Sequence, residues 1–162
     1  DEELVGSEDD EFNYRLRSQG GRLYLTPAIR SFYYGRSSLR ALCKQYFSYG
    51  RGKVRVMRRH PGQVRLRHLI PSLLVLSLLV SAALGFFSPW FALLFAVIVG
   101  CYVLASLLVA LSIARGEGWR YLPLLPAAFA CLHLSYGAGF LWGVVRYLSQ
   151  GIVGTGESNV QP

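Results

Sequence analysis

The sequence predicts a short α/β remnant, then an amphipathic interfacial helix, then three transmembrane α-helices. Three observations carry this. Seven of the nine acids lie in residues 1–11, and none occurs between Phe12 and Gly116. Eleven of the 17 Lys and Arg lie between Arg30 and Arg67. Nearly everything after His68 is apolar, so a chain that is 52% hydrophobic still carries a formal charge of +8. The expected divisions are 1–35 for the remnant, 36–68 for the basic interfacial helix and linker, 69–148 for the membrane helices and 149–162 for a polar tail. A soluble head of about 65 residues is marginal as an independent domain. The first residues, from Asp1, form neither a signal nor a transit peptide. The expectation is the C-terminal portion of something longer.

The first element is a helix opened by Glu8-Asp9-Asp10-Glu11, with Phe12 and Leu16 on following turns. Acids in a first turn offset the helix macrodipole, which alone explains them. The functional alternative is a crowded carboxylate with a raised pKa, poised to take a proton from a hydroxyl. Glu11 and Arg15 stand four apart, where an acid N-terminal to a base supports a helix. Ser18-Gln19-Gly20-Gly21 reads as its stop, with glycine suited to a left-handed cap. Arg22-Leu23-Tyr24-Leu25-Thr26 alternates up to Pro27 and predicts a short strand. Ile29 to Tyr34 is a second apolar-aromatic stretch.

Ser37 or Ser38 caps the next helix. Leu39, Leu42, Cys43, Tyr46 and Phe47 form its apolar stripe, with Arg40 and Lys44 off it. Such a composition suits a membrane interface. Gly50 and Gly52 are expected to end or bend this helix, and His60-Pro61-Gly62 to break the basic run that follows. Because that run abuts a hydrophobic span, anionic lipid headgroups are the expected partner and nucleic acid is not.

Leu69 to Phe87, Trp90 to Ile113 and Tyr121 to Val145 carry no Asp, Glu, Lys or Arg. Each is long enough to cross about 30 Å of hydrocarbon. Pro71 is placed in the first turn of its span, Ser88-Pro89 makes a tight turn, and residues 114–120 form a polar loop. The positive-inside rule puts the basic collar and that loop in the cytoplasm and the C-terminus outside. His133, Ser135 and Tyr136 with Gly137 and Gly139 read as interhelical hydrogen bonding between closely packed helices, ahead of a functional intramembrane site. Cys43, Cys101 and Cys131 are odd in number and far apart, so they are expected as packing residues.

Taken in order, these segments resemble the C-terminal part of a membrane-bound family 2 glycosyltransferase of the succinoglycan or exopolysaccharide-biosynthesis type. The resemblance rests on Glu8-Asp9-Asp10-Glu11-Phe12-Asn13-Tyr14-Arg15-Leu16 and on Gly20-Gly21-Arg22-Leu23-Tyr24-Leu25-Thr26-Pro27. It continues in Ser37-Ser38-Leu39-Arg40 through Tyr49-Gly50, and in His133-Leu134-Ser135-Tyr136-Gly137 with Gly139-Phe140-Leu141-Trp142-Gly143. It implies that residues 1–35 end a GT-A-type nucleotide-sugar domain, and that transfer inverts the sugar. Asp9 would be the general base, Glu8 and Asp10 would orient the acceptor or tune Asp9, and Arg15 would anchor the helix. It further implies a nucleotide-sugar donor and a polyprenyl-linked or other membrane acceptor. A divalent metal, Mg or Mn, is implied with ligands mostly outside this chain. The enzyme is expected in a bacterial-type inner membrane.

One departure stands out. Processive members carry Gln-x-x-Arg-Trp, whereas Gln45-Tyr46-Phe47-Ser48-Tyr49 has Ser in place of Arg. A single transfer is therefore expected, with Gln45 and Tyr49 on the acceptor side. The competing reading is a small non-enzymatic membrane anchor or transporter subunit, which leaves the ordered acidic motif unexplained.

Overall fold

The computed structural model describes residues 8–32, 35–59 and 66–153. Asp1-Glu2-Glu3, Tyr33-Tyr34, the break at His60-Pro61-Gly62 and the tail after Val153 lie outside the described residues. The described residues are all helical where they are regular: α1 (Glu8–Ser18), α2 (Leu39–Arg59), α3 (Leu66–Gly85), α4 (Pro89–Glu117) and α5 (Leu124–Val153). A single 3-10 turn, Trp119–Tyr121, links α4 to α5.

α1 stops where its local chemistry dictates. Gly20 takes a left-handed φ of 82°, and the Gly21 N–H bonds the Leu16 carbonyl at 2.9 Å. A residue with a Cβ would resist that φ. The expected strand is absent: among the described residues, 22–26 join no ladder. Alternation supplies a face, but a strand also needs a neighbour to receive its N–H and C=O groups. Tyr24 and Leu25 are accordingly 89% and 98% exposed. The stretch ends at Pro27 as expected, in a turn where the Ile29 N–H meets the Thr26 carbonyl at 3.3 Å.

α2 starts at a Ser38 cap, whose Oγ accepts the Ala41 N–H at 3.2 Å. It then runs unbroken through Gly50 and Gly52 to Arg59, against the expectation that these glycines end or bend it. The reason lies across the contact with α5. A Cβ on Gly50 would overlap the Tyr136 carbonyl oxygen and sit 2.8 Å from the Phe140 amide nitrogen. A Cβ on Gly139 would likewise overlap the Phe47 carbonyl oxygen. The glycines let two backbones touch, as small residues do between membrane helices.

The paired residues ascend together along both helices. Cys43 meets Cys131, Gly143 faces Val54, and the Arg58 guanidinium lies 4.3 Å over the Tyr147 ring. α2 therefore lies lengthwise and parallel on α5. Cys43 and Cys131 form a disulfide with their Cα atoms 5.2 Å apart, which corrects the expectation of mere packing residues. A separation of 88 residues hid the pairing; only the α2–α5 contact creates it. The Cys131 sulfur also lies 3.2 Å from the Leu39 carbonyl oxygen, a contact in which a disulfide sulfur has no proton to give.

α3, α4 and α5 are each long and apolar enough to cross a membrane. α3 begins at Leu66, ahead of the uncharged run, so Pro71 falls in its second turn and not the first. The Ser88-Pro89 turn is as tight as expected: the Ser88 N–H bonds Leu84, and Pro89 opens α4, where its missing N–H costs little. α4 continues through Arg115 to Glu117 and stops at Gly118, φ 118°, so part of the expected loop is helix. Pro126 is absorbed in the first turn of α5. α3 packs on both α4 and α5, and Gly137 of α5 sits against the Pro71 carbonyl. Buried Ser81 returns its hydroxyl to the Ser77 carbonyl at 2.6 Å, which satisfies it without water.

Candidate functional site

The acidic motif occupies the first turn of α1. The side chains of Glu8, Asp9, Asp10 and Glu11 lie outside the described residues, so the structure gives the helix that carries them and no side-chain geometry. Arg15 sits in the last turn of that helix, where its carbonyl accepts the Ser18 hydroxyl at 2.8 Å. Among the described residues the closely packed helix pairs are α2–α5, α3–α5, α3–α4 and α4–α5.

Gln45 and Tyr49 themselves come together, one turn apart on α2. Gln45 donates from Nε2 to the Tyr49 oxygen at 2.7 Å, and its Oε1 accepts the Arg36 Nε–H at 3.1 Å. Tyr46 braces the Tyr49 ring edge-on, with centroids 5.6 Å apart. Sequence reasoning missed Arg36. Nine residues from Gln45 and ahead of the helix, it offers no spacing signal; only the path of the chain into the Ser38 cap delivers it.

In the membrane region, the Tyr102 hydroxyl on α4 and His133 Nδ1 on α5 are 3.0 Å apart, with the rings edge-on. Ser106 also hydrogen bonds Tyr102. This is the interhelical bond expected of His133. Among the described residues no group of three or more His, Cys, Asp or Glu could hold a metal ion. The implied divalent cation has no fitting ligand set among the described residues.

The chain is 35% identical over 140 residues to the succinoglycan biosynthesis protein ExoA of Rhizobium meliloti (strain 1021), covering 86% of this chain and 41% of that protein. It is 30% identical over 152 residues to the dolichyl N-acetyl-alpha-D-glucosaminyl phosphate 3-beta-D-2,3-diacetamido-2,3-dideoxy-beta-D-glucuronosyltransferase of Methanococcus voltae, covering 90% of this chain and 41% of that protein. The chain is homologous to a segment of a glycosyltransferase. It spans about two fifths of the length of these curated relatives. No family model and no solved structure matches it.

Proposed function

We propose that the whole protein is an inverting family 2 glycosyltransferase of exopolysaccharide assembly, and that this chain supplies its C-terminal part. The enzyme moves a sugar from a nucleotide-sugar donor to a polyprenyl-linked or other membrane acceptor at the cytoplasmic face. The similarity that carries this reading runs across 86% of the chain, far more than the three apolar helices Leu66–Gly85, Pro89–Glu117 and Leu124–Val153 occupy. An anchor or transporter subunit would need only those helices.

In the proposed step the Asp9 carboxylate takes the proton from the acceptor hydroxyl. The freed oxygen attacks the anomeric carbon of the donor as the bond to the nucleoside diphosphate breaks. Glu8 and Asp10 hold the acceptor or keep the Asp9 pKa near the working pH, where a general base is most effective. Arg15 anchors the helix. Gln45 and Tyr49 face the acceptor. A divalent cation, Mg or Mn, would take its ligands mostly from outside this chain.

The test is Asp9→Asn in the full-length protein. Turnover should fall by about 10²–10⁴-fold, the usual contribution of a general base, with expression and membrane insertion unchanged. Undiminished turnover would remove Asp9 as the general base, and no turnover in the parent protein itself would favour the anchor reading.

A further inference from the structure

We propose that Arg36, Gln45 and Tyr49 form a phosphate-binding array at the start of α2. The argument is one of hydrogen-bond direction. Gln45 has one acceptor side and one donor side, and both are committed: Oε1 receives Arg36 Nε–H, and Nε2 gives to the Tyr49 oxygen. The amide cannot be turned round, because its NH₂ would then face the guanidinium, donor against donor. With its oxygen already accepting, Tyr49 turns its own proton outward. The Nη hydrogens of Arg36, the Tyr49 proton and the second Nε2 hydrogen of Gln45 are left to give, and they outnumber the spare lone pairs on Gln45 Oε1 and the Tyr49 oxygen.

An edge in which donors outnumber acceptors, with one donor a fixed cation, fits an oxyanion with several acceptor oxygens. Guanidinium and phosphate match in charge and in fork geometry. A sugar hydroxyl, which gives as well as takes, fits less well. The electrostatics agree: Arg40 and Lys44 are exposed on the same opening turns of α2, and the sequence holds no acid between Phe12 and Gly116. An i,i+4 contact that merely stabilises the helix would explain Gln45 with Tyr49. It would not explain why Arg36, outside the helix, is ordered against them.

The ligand is a phosphate or diphosphate group. Two sources carry it: the head of a polyprenyl-phosphate carrier, or a free diphosphate such as a leaving nucleotide presents. Only the naming of these sources rests on the transferase reading; the array itself does not.

The experiment measures equilibrium binding by thermophoresis to purified residues 1–162 in detergent. The probes are a polyprenyl monophosphate, the matching polyprenol and inorganic pyrophosphate. The polyprenyl phosphate or pyrophosphate should bind, and Arg36→Ala should weaken that binding about tenfold or more, as expected for a lost charge-assisted contact. Arg36→Lys should recover only part of it, because an ammonium cannot bond Gln45 and the anion in the same fork. Tyr49→Phe should weaken binding less than Arg36→Ala. Preference for polyprenyl phosphate over pyrophosphate identifies the lipid head, and the reverse identifies the free diphosphate.

Helix content and retention of the Cys43–Cys131 bond check that each variant is folded. If Arg36→Ala unfolds, Arg36→Gln removes the charge alone and takes its place. Polyprenol binding as tightly as its phosphate, no phosphate probe binding, or folded Arg36 variants binding like the parent would each overturn the proposal. No turnover is read, so an inactive Asp9 or a wrong transferase assignment leaves this result unaffected.

Discussion

Gly50 has no room for a side chain, whereas Gly100 has nothing within 4 Å of where its Cβ would stand. The two make a matched test in detergent. Gly50→Ala forces α2 off α5, and overpacking of this kind costs about 1–3 kcal/mol. Gly100→Ala should be neutral or slightly stabilising, since alanine is the better helix former by about 1 kcal/mol. Denaturation midpoints of the two variants decide it, and equal midpoints would remove the close α2–α5 contact. Tyr102→Phe deletes the hydroxyl that meets His133 and should cost about 0.6 kcal/mol, the usual worth of such a bond between membrane helices. The same residues show what the sequence could reveal. His133 sits alone in an apolar run, so its need for a partner was visible, though Tyr102 as that partner was not. Gly50 reads as a breaker because its true constraint is a backbone some ninety positions away. Cys43 and Cys131 stayed unpaired on paper for the same reason.

Single elements were legible where their causes are local. The end of α1 follows from Gly20 and Gly21, the start of α2 from Ser38, and the Ser88-Pro89 turn from proline opening α4. The stretch 22–26 failed because its cause is not local. Leu23, Tyr24 and Leu25 are exposed, and an unpaired strand leaves its amides to solvent. Hydrogen exchange on residues 1–162 should therefore show Arg22 to Thr26 unprotected. The α3 and α4 amides should exchange far more slowly, since exchange tracks local opening and helices buried in detergent open rarely. Protection of 22–26 in this chain would mean that the strand does find a partner within it. The candidate site divides along the same line. Gln45 and Tyr49 share one helical face and could be paired from spacing, whereas Arg36 joins them through a bend no periodicity describes.

Over the whole molecule, charge and packing pull apart at Arg58. The positive-inside rule predicts a cytoplasmic side for the basic residues from Arg30 to Arg67. The packing lays Arg58 on Tyr147 of α5. Gly137 is level with Pro71, near the start of α3. From Gly137 to Tyr147, α5 climbs about 15 Å at 1.5 Å per residue, which is half the hydrocarbon thickness. A parallel α2 that follows it carries Arg51, Lys53, Arg55 and Arg58 to those depths. Each cation costs about 2.5–3.5 kcal/mol at the centre of a bilayer. Lys53 and Arg55 have partners in the fold, but Arg51 and Arg58 together still add about 5–7 kcal/mol at such depths. We therefore expect α2 in lipid to keep its contact near Cys43 and Cys131, while its basic second half swings to the cytoplasmic headgroups. A cysteine replacing Arg58, with Cys101 changed to Ser, should react with an impermeant maleimide in inside-out vesicles and not in right-side-out ones. A cysteine replacing Ser149 should show the opposite pattern. Labelling of both positions from the same side would mean that α2 stays on α5 in the membrane. The basic collar would then be held by protein contacts in place of headgroups.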